Sequence, residues 1–339
     1  MNILIIKVGA IGDVIRTTAL LPGLKEKYPQ ANISWLTKKA SRGLLNNNPL
    51  IQKIYTLESD QQTILRESYD LLINLDDDLS ICKLAASIKA DKHMGAYEEQ
   101  GVCKYTDETA PWFDMSLISR FGKEKADQLK TQNRKTYQQI AYEILGLTYK
   151  HQEPMIILRE QQKLFAEKFK EQNHISSQEK IIGFNTGASG RWQDKKMSEE
   201  KTIQLIDLLH QQQRDARIML LGGTEERERN KHILAQVNAP VIDSGCDNSL
   251  LEFASLINIC DVLVTSDSMA LHMATAFKKR VVVFFCPTSP WEIELYGRGE
   301  KSIPKKGCVC CYASVCEIPP EYDIEEMVAK VIVQLELMA

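Results

Sequence analysis

The chain has 339 residues, more than one hydrophobic core usually supports, so two domains of roughly 150 residues each are expected. Its 44% hydrophobic and 26% charged residues belong to an ordinary globular protein and exclude a disordered or fibrous one. With 42 basic against 45 acidic residues the formal charge is -3, which excludes a global field for nucleic acid or for an anionic membrane, so any anion must be bound locally.

Ile3 to Val8 is an apolar run that predicts a buried strand, and it ends in Gly9-Ala10-Ile11-Gly12-Asp13. Val14 to Tyr28 predicts a helix, Ile33 to Thr37 a strand, and a helical stretch follows from Lys39. Ile54 to Leu57 and Leu71 to Leu75 are further strands with a helical stretch between them. Such βαβ alternation predicts a parallel sheet with helices on both faces. Residues 100 to 135 are less regular and carry the basic run Lys123 to Lys135, which reads equally as a lid or acceptor loop and as a solvated surface segment. Residues 136 to 147 predict a helix and Thr148 to Leu158, with Pro154, a connector, so the expected domains are 1–153 and 154–339. Alternation resumes with strands at 180–184, 216–221, 240–242, 261–265 and 280–286 and a helix at Glu199 to Gln212. No apolar run reaches the roughly 18 residues of a membrane span, and the opening strand lacks the regions of a signal peptide, so a cytoplasmic protein is expected.

Four strand-end loops carry the chemistry. In open α/β sheets ligands sit at the carboxyl ends of strands, beside glycine turns and helix N-termini. The first loop, Gly9 to Asp13, lacks the Gly-x-Gly-x-x-Gly of a dinucleotide fold, which makes a dehydrogenase a poor match. Its carboxylate would repel pyrophosphate but suits a general base, and it equally suits a cap on the following helix. The second, Asn185 to Lys196, joins Thr186, Gly187 and Ser189 to the pair Lys195 and Lys196, an arrangement able to hold a diphosphate without metal. The third, Thr265 to Ala274, sets Asp267 and Ser268 before an apolar helix with His272 one turn in, and this lone histidine also reads as a structural one. The fourth is Cys286-Pro287-Thr288-Ser289-Pro290.

Taken in order, these loops resemble those of the family 9 glycosyltransferases, which include the ADP-heptose:lipopolysaccharide heptosyltransferases. The likeness rests on Lys7 through Pro22, Asn185 through Lys195, Asp267 through His272, and Cys286 through Pro290. It implies an α/β fold of GT-B type, two Rossmann-like doubly wound parallel-sheet domains facing across a cleft, the acceptor on the N-terminal side and the nucleotide-sugar on the C-terminal side. It further implies inverting transfer of a heptose from ADP-heptose to a hydroxyl of a lipopolysaccharide or surface glycan, with Asp13 as general base. Gly9 and Gly12 fall among the substrate-binding residues it implies. Lys195 matches the lysine that faces the donor diphosphate, with Lys196 next to it. Thr186, Gly187 and Ser189 would line the phosphate site, Asp267, Ser268 and His272 would hold sugar or phosphate oxygens, and Glu225, adjacent to Glu226, would lie near the nucleoside. Met269 stands where the family commonly has glycine. No cofactor is needed for this chemistry, and the implied partners are the nucleotide-sugar and a lipid-linked glycan or protein acceptor, with no nucleic acid, at the inner-membrane face of the cytoplasm. The alternatives are another nucleotide sugar or a protein acceptor on the same fold, and a non-catalytic nucleotide-sugar-binding protein.

Cys308, Cys310, Cys311 and Cys316 crowd into nine residues. Three or four thiolates at C-x2-C-x4-C spacing suit tetrahedral zinc or iron, in a structural role, and reduced thiols without an ion are the other reading. Cys286 or Cys260 would complete the set if Cys310 points away. Similar clusters occur in some members of the family, and a subset that glycosylates proteins binds iron.

Overall fold

The structure, a computed structural model, describes all residues other than Ser189, Arg191, Trp192, Ser314 and Ala339, and only the backbone of Gln193. It divides into two units, Met1–Ile157 and Leu158–Ala339.

In the first unit the strands are β1 (Asn2–Ile6), β2 (Asn32–Thr37), β3 (Lys53–Thr56), β4 (Ser68–Asn74), β5 (Lys89–Glu99) and β6 (Val102–Tyr105), and the helices α1 (Ile11–Thr17), α2 (Leu20–Lys27), α3 (Lys39–Leu45), α4 (Gln61–Arg66), α5 (Leu79–Ser87), α6 (Ala110–Phe113), α7 (Lys123–Gln132) and α8 (Tyr137–Ile144). The sheet order is β3-β2-β1-β4-β5-β6, parallel up to β5, with β6 antiparallel to it. Residues Ile3 to Ile6 are wholly buried and alternate between two cores: Ile3 and Ile5 pack with Trp35 and Tyr142, Leu4 and Ile6 with Leu36 and Tyr55. Burial of each such side chain stabilises by about 1.5–3 kcal/mol, whereas intrinsic strand preferences span about 1 kcal/mol, so burial on both faces decides that this run is a central strand.

The helix expected over Val14 to Tyr28 is two helices, separated at Thr18 and Ala19. Pro22 has no N–H to give the Thr18 carbonyl, which takes the Leu21 amide instead, so the helix restarts. Within the irregular 100–135 stretch the basic run forms α7, and a capping box of Thr136 and Gln139 starts α8.

The second unit holds β7 (Ile181–Asn185), β8 (Arg217–Leu221), β9 (Val241–Asp243), β10 (Val262–Ser266), β11 (Arg280–Phe284) and β12 (Gly299–Ser302), with α9 (Glu160–Gln172), α10 (Glu199–Gln212), α11 (Arg227–Gln236), α12 (Leu250–Ile259), α13 (Met269–Ala276) and α14 (Ile324–Glu336). Its sheet runs β12-β11-β10-β7-β8-β9 and is parallel throughout. Counted from its own first strand, this is the 3-2-1-4-5-6 order of the first unit, so both are Rossmann-like doubly wound domains. In each, strand order reverses between the first and fourth strands, β1 and β4 in one and β7 and β10 in the other. The crevice at the carboxyl ends of those strands is where such sheets bind ligands.

Candidate functional site

Asp13 lies at the switch point of the first unit. Ala10, not Asp13, occupies the cap position of α1, and no side-chain cap bond is made there. Asp13 is the third residue of the helix, and its carboxylate pairs with Arg16 one turn on, at 2.8 Å. The Arg16 guanidinium stands 4.0 Å from the centre of the Tyr137 ring and 5.7 Å from that of Trp112. Thr17 ties the same turn down, exchanging a 2.7 Å hydrogen bond with the Tyr137 hydroxyl and donating to the Asp13 carbonyl.

At the same switch point is a group that the sequence reading missed. Asp76, two residues past β4, accepts the backbone N–H groups of Val8 and Gly9 and the ammonium of Lys7, which also donates to the Leu75 carbonyl. Burial alone would depress the Lys7 pKa, but Asp76 and then Asp13 outweigh it and hold Lys7 charged, above its ordinary value. Gly9 is demanded by this packing: a Cβ there would stand 2.8 Å from Asp76 Oδ1. Gly12 is buried within α1. Arg16 and Lys7 thus both bring positive charge toward Asp13.

At the switch point of the second unit Lys195, in the short turn Gln193–Lys195, donates to both the backbone carbonyl and Oδ2 of Asp267, each at 2.9 Å. Thr288 donates to the same Oδ2 at 2.7 Å, and His272 Nε2 is 3.9 Å from Oδ1. Burial opposes the charge on Asp267, but the Lys195 ammonium, His272 and the hydrogen bonds from Lys195 and Thr288 overcome it and hold the carboxyl well below the usual carboxylate range. An ammonium has three N–H donors, so two bonds to Asp267 leave one for a ligand anion.

Lys196 takes a different partner. It donates to Glu226 at 2.6 Å, and the Glu226 carboxylate also accepts the Gly223 N–H. A Cβ on Gly187 would come within 2.9 Å of Glu226, so glycine there permits the carboxylate's approach. Glu225 is exposed and Glu226 buried; the neighbouring acids divide, one facing solvent and one shaping the loop. The Thr186 hydroxyl donates to Asn230 at 2.6 Å, inside the scaffold. Asn185 links the two strand ends, donating to the Gly187 carbonyl and the Thr265 hydroxyl, and Ser268 contacts that hydroxyl at 3.0 Å. Met269 begins α13 and is not among the residues with positive φ, so this loop does not need glycine. Ser189 lies outside the described residues. A cavity of about 330 Å³ adjoins the loop, lined by Asp194, Lys196, Lys201, Arg229 and Tyr322 among others.

Of the cysteine arrangements expected, the structure takes the one that uses Cys286. Sγ atoms of Cys286, Cys308 and Cys316 lie within 4.8 Å of one another, and Cys311 Sγ is 3.6 Å from that of Cys316. Cys308 and Cys311 are joined as a disulfide. Cys310, with φ of 62°, is not in the group, and Cys286, at the end of the β11 run, takes its place. Cys260 is also apart, its thiol donating to the Leu256 carbonyl. A tetrahedral thiolate site with metal–sulfur bonds of about 2.3 Å has edges of about 3.8 Å. The 3.8 Å from Cys286 to Cys308 and the 3.6 Å from Cys311 to Cys316 match that edge, and the 3.2 Å from Cys286 to Cys316 and 2.6 Å from Cys308 to Cys316 are tighter. Once reduced, Cys286, Cys308 and Cys316 form a thiol group able to hold zinc or iron, with Cys311 beside Cys316 as a candidate fourth donor.

Of the residues that the sequence reading missed, Asp76 had a signal in Asn74-Leu75-Asp76, an acid at a strand end. Thr288, Glu226 and Arg16 sat in or beside stretches already singled out, Arg16 one helical turn from Asp13.

Residues 59–319 match the family model described as Glycosyltransferase family 9 (heptosyltransferase). Over 315 residues the chain is 24% identical to lipooligosaccharide heptosyltransferase 2 of Haemophilus influenzae, covering 86% of this chain and 84% of that one. The fold aligns with a family 9 glycosyl transferase from Veillonella parvula at a TM-score of 0.78 and 18% identity, over 100% of this chain and 98% of that one. It also aligns with the dodecameric iron-containing heptosyltransferase TibC from enterotoxigenic Escherichia coli, in complex with ADP-D-β-D-heptose, at a TM-score of 0.52 and 12% identity, covering 93% and 67%.

Proposed function

The chain belongs to glycosyltransferase family 9 and is a glycosyltransferase, and from that premise we propose that it transfers a heptose from ADP-heptose, with inversion, to a hydroxyl of a lipopolysaccharide-type acceptor. The observation that carries this reading is the placement of the chemistry: a carboxylate, Asp13, at the switch point of one sheet, and Lys195 with Asp267 and Thr288 at that of the other. Asp13 takes the proton of the acceptor hydroxyl as its oxygen attacks the anomeric carbon. The bond from that carbon to the diphosphate breaks, and the charge left on the nucleoside diphosphate meets the remaining Lys195 N–H and the backbone amides after β7 and β10. The lipooligosaccharide relative and the ADP-heptose in the TibC complex support the acceptor and donor classes.

The reading places the protein in the cytoplasm, at the inner-membrane face. Among the described residues no helix is long and apolar enough to cross a membrane. Leu117 and Phe121, 69% and 54% exposed, precede α7, whose three lysines stand against two acids, so this segment offers a lipid surface apolar contact rather than a basic field.

A panel of ADP, UDP and GDP tests the donor by thermal shift. A nucleotide that binds only the folded state at a hundredfold its Kd raises stability by about 2.7 kcal/mol. ADP is expected to raise the melting temperature clearly more than UDP or GDP, and equal shifts from all three would overturn the assignment of adenine.

The reduced cysteine cluster is assigned a structural iron or zinc held by Cys286, Cys308 and Cys316, with Cys311 as the fourth ligand, and the iron of TibC supports iron among these. When bound, the ion supplies a crosslink between the β11 end and the 308–316 segment and takes no part in transfer. Elemental analysis of the protein purified in reductant is expected to give about one ion per chain. Cys286→Ser is expected to lose it and Cys310→Ser to keep it; the reverse result would restore Cys310 as ligand.

A further inference from the structure

Contacts around the cysteine cluster close a ring that passes through the donor lysine. The backbone N–H of Cys316 donates to Asp194 Oδ2 at 2.5 Å. Asp194 immediately precedes Lys195, and Lys195 holds Asp267. Asp267 accepts from Thr288, two residues beyond Cys286, and Cys286 Sγ is 3.2 Å from that of Cys316. A second strut crosses the ring, from the Tyr312 N–H to the Pro287 carbonyl at 3.2 Å. One side of the ring is thus the cluster, and the opposite side is the Lys195 and Asp267 pair.

We propose that Asp194 is a positioning residue through which the state of the cysteine cluster sets donor affinity. The proposal rests on the reading of the cluster as a metal site. An ion that fixes Cys286 and Cys316 fixes the two ends of the ring, so Lys195 and Thr288 lose less conformational freedom when a diphosphate binds. With the cluster unfastened, the 308–316 segment still leads to Asp194 but no longer holds it in place. The Asp194 carboxylate is held by the Cys316 N–H, so its effect belongs on donor binding rather than on the chemical step.

The test is ADP binding by calorimetry to wild type and Asp194→Asn, each with and without its metal, in a dithiol reductant that opens the Cys308–Cys311 disulfide to two thiols. Metal content and kcat at saturating donor are measured alongside. A hydrogen bond to a charged group is worth about ten- to a hundredfold in an equilibrium, and asparagine keeps a neutral acceptor, so Asp194→Asn is expected to weaken ADP binding about tenfold. Metal content and kcat are expected to stay within about twofold and threefold of wild type. Removing the metal is expected to weaken the wild type by a similar factor and the variant by less than about twofold. Thr288→Val, which opens the ring on its other side, is expected to abolish the coupling in the same way. Equal losses on metal removal in wild type and both variants would overturn the proposal while leaving the metal site standing. Reduced protein without any metal would overturn the metal reading and the coupling with it.

Discussion

Asp13→Ala is expected to lower turnover by about two to four orders of magnitude and to leave ADP binding within about twofold of wild type. The physical case begins with the position of the carboxylate, in the first turn of α1 at the reversal of strand order, paired with Arg16 at 2.8 Å. Asp76 is also a carboxylate at the same switch point, but it already accepts two backbone N–H groups and the Lys7 ammonium. Taking a hydroxyl proton would require Asp76 to give up those bonds, which makes Asp76 the poorer candidate and supports Asp13 as the base we propose. Asp13→Asn keeps the size and loses the proton acceptor, and it is expected to match Asp13→Ala in turnover. Steady-state kinetics with saturating donor, paired with ADP calorimetry, makes the check. Turnover within tenfold of wild type in Asp13→Asn would remove the base role and return the residue to a structural one.

The second large effect is expected at Lys195. Lys195→Ala should weaken ADP binding about ten- to a hundredfold, the value of one hydrogen bond to a charged group. It should also destabilise the second unit, because Asp267 is left as a buried carboxylate with less compensation: the two side chains are only 12% and 15% exposed, and removing one partner of such a pair costs about 3–5 kcal/mol. Lys196→Ala isolates the two effects. Its partner Glu226 is buried and caps Gly223, so loss of Lys196 is expected to lower the melting temperature while changing ADP affinity by less than about threefold. Binding isotherms and thermal melts on the two variants decide it; a larger affinity loss for Lys196→Ala would exchange the roles of the two lysines. The pH dependence follows with a definite sign. Asp267 has a folded pKa below its unfolded value, so its contribution is fully present above the ordinary carboxylate range and is lost as pH falls through and below that range. In Lys195→Ala that acid-labile contribution should shrink, and the difference in stability between wild type and variant should narrow as the solution is acidified.

Most of the parallel strands, β5 and β12 excepted, were legible because each is an apolar, largely buried run, a signal that needs no partner to be read. Ile3 to Ile6 and Val281 to Val283 are the clearest, with every residue buried. Of the elements that escaped notice, α12 and α14 bury apolar faces, and α9, β6 and β12 bury little. In α9 only Ala166 is fully buried, and β6 and β12 are short edge strands with polar residues, so neither hydrophobic periodicity nor composition marked them. The break between α1 and α2 was in principle readable from Pro22, whose missing N–H acts locally.

For the site the division is similar but sharper. The sequence by itself determined which residue types stand after which strands: Asp13 after the first, Thr186 to Lys196 after β7, Asp267 to His272 after β10, Cys286 to Thr288 after β11. That is local information, since a strand end and a following helix are set by a dozen neighbouring residues. Which of these loops adjoin was decided by tertiary structure alone. Strand β4 lies beside β1 although some 70 residues separate them, and this brings Asp76 to Gly9. Strand β10 lies beside β7, and this brings Asp267 to Lys195. The same holds for Cys286 replacing Cys310 among the gathered thiols, because spacing within 308–316 says nothing of a sulfur 22 residues upstream at the end of another strand. Order within a sheet is fixed by which faces bury the most apolar surface together, a property of the whole domain, so the partners of each charged group follow from packing and not from any motif that contains them.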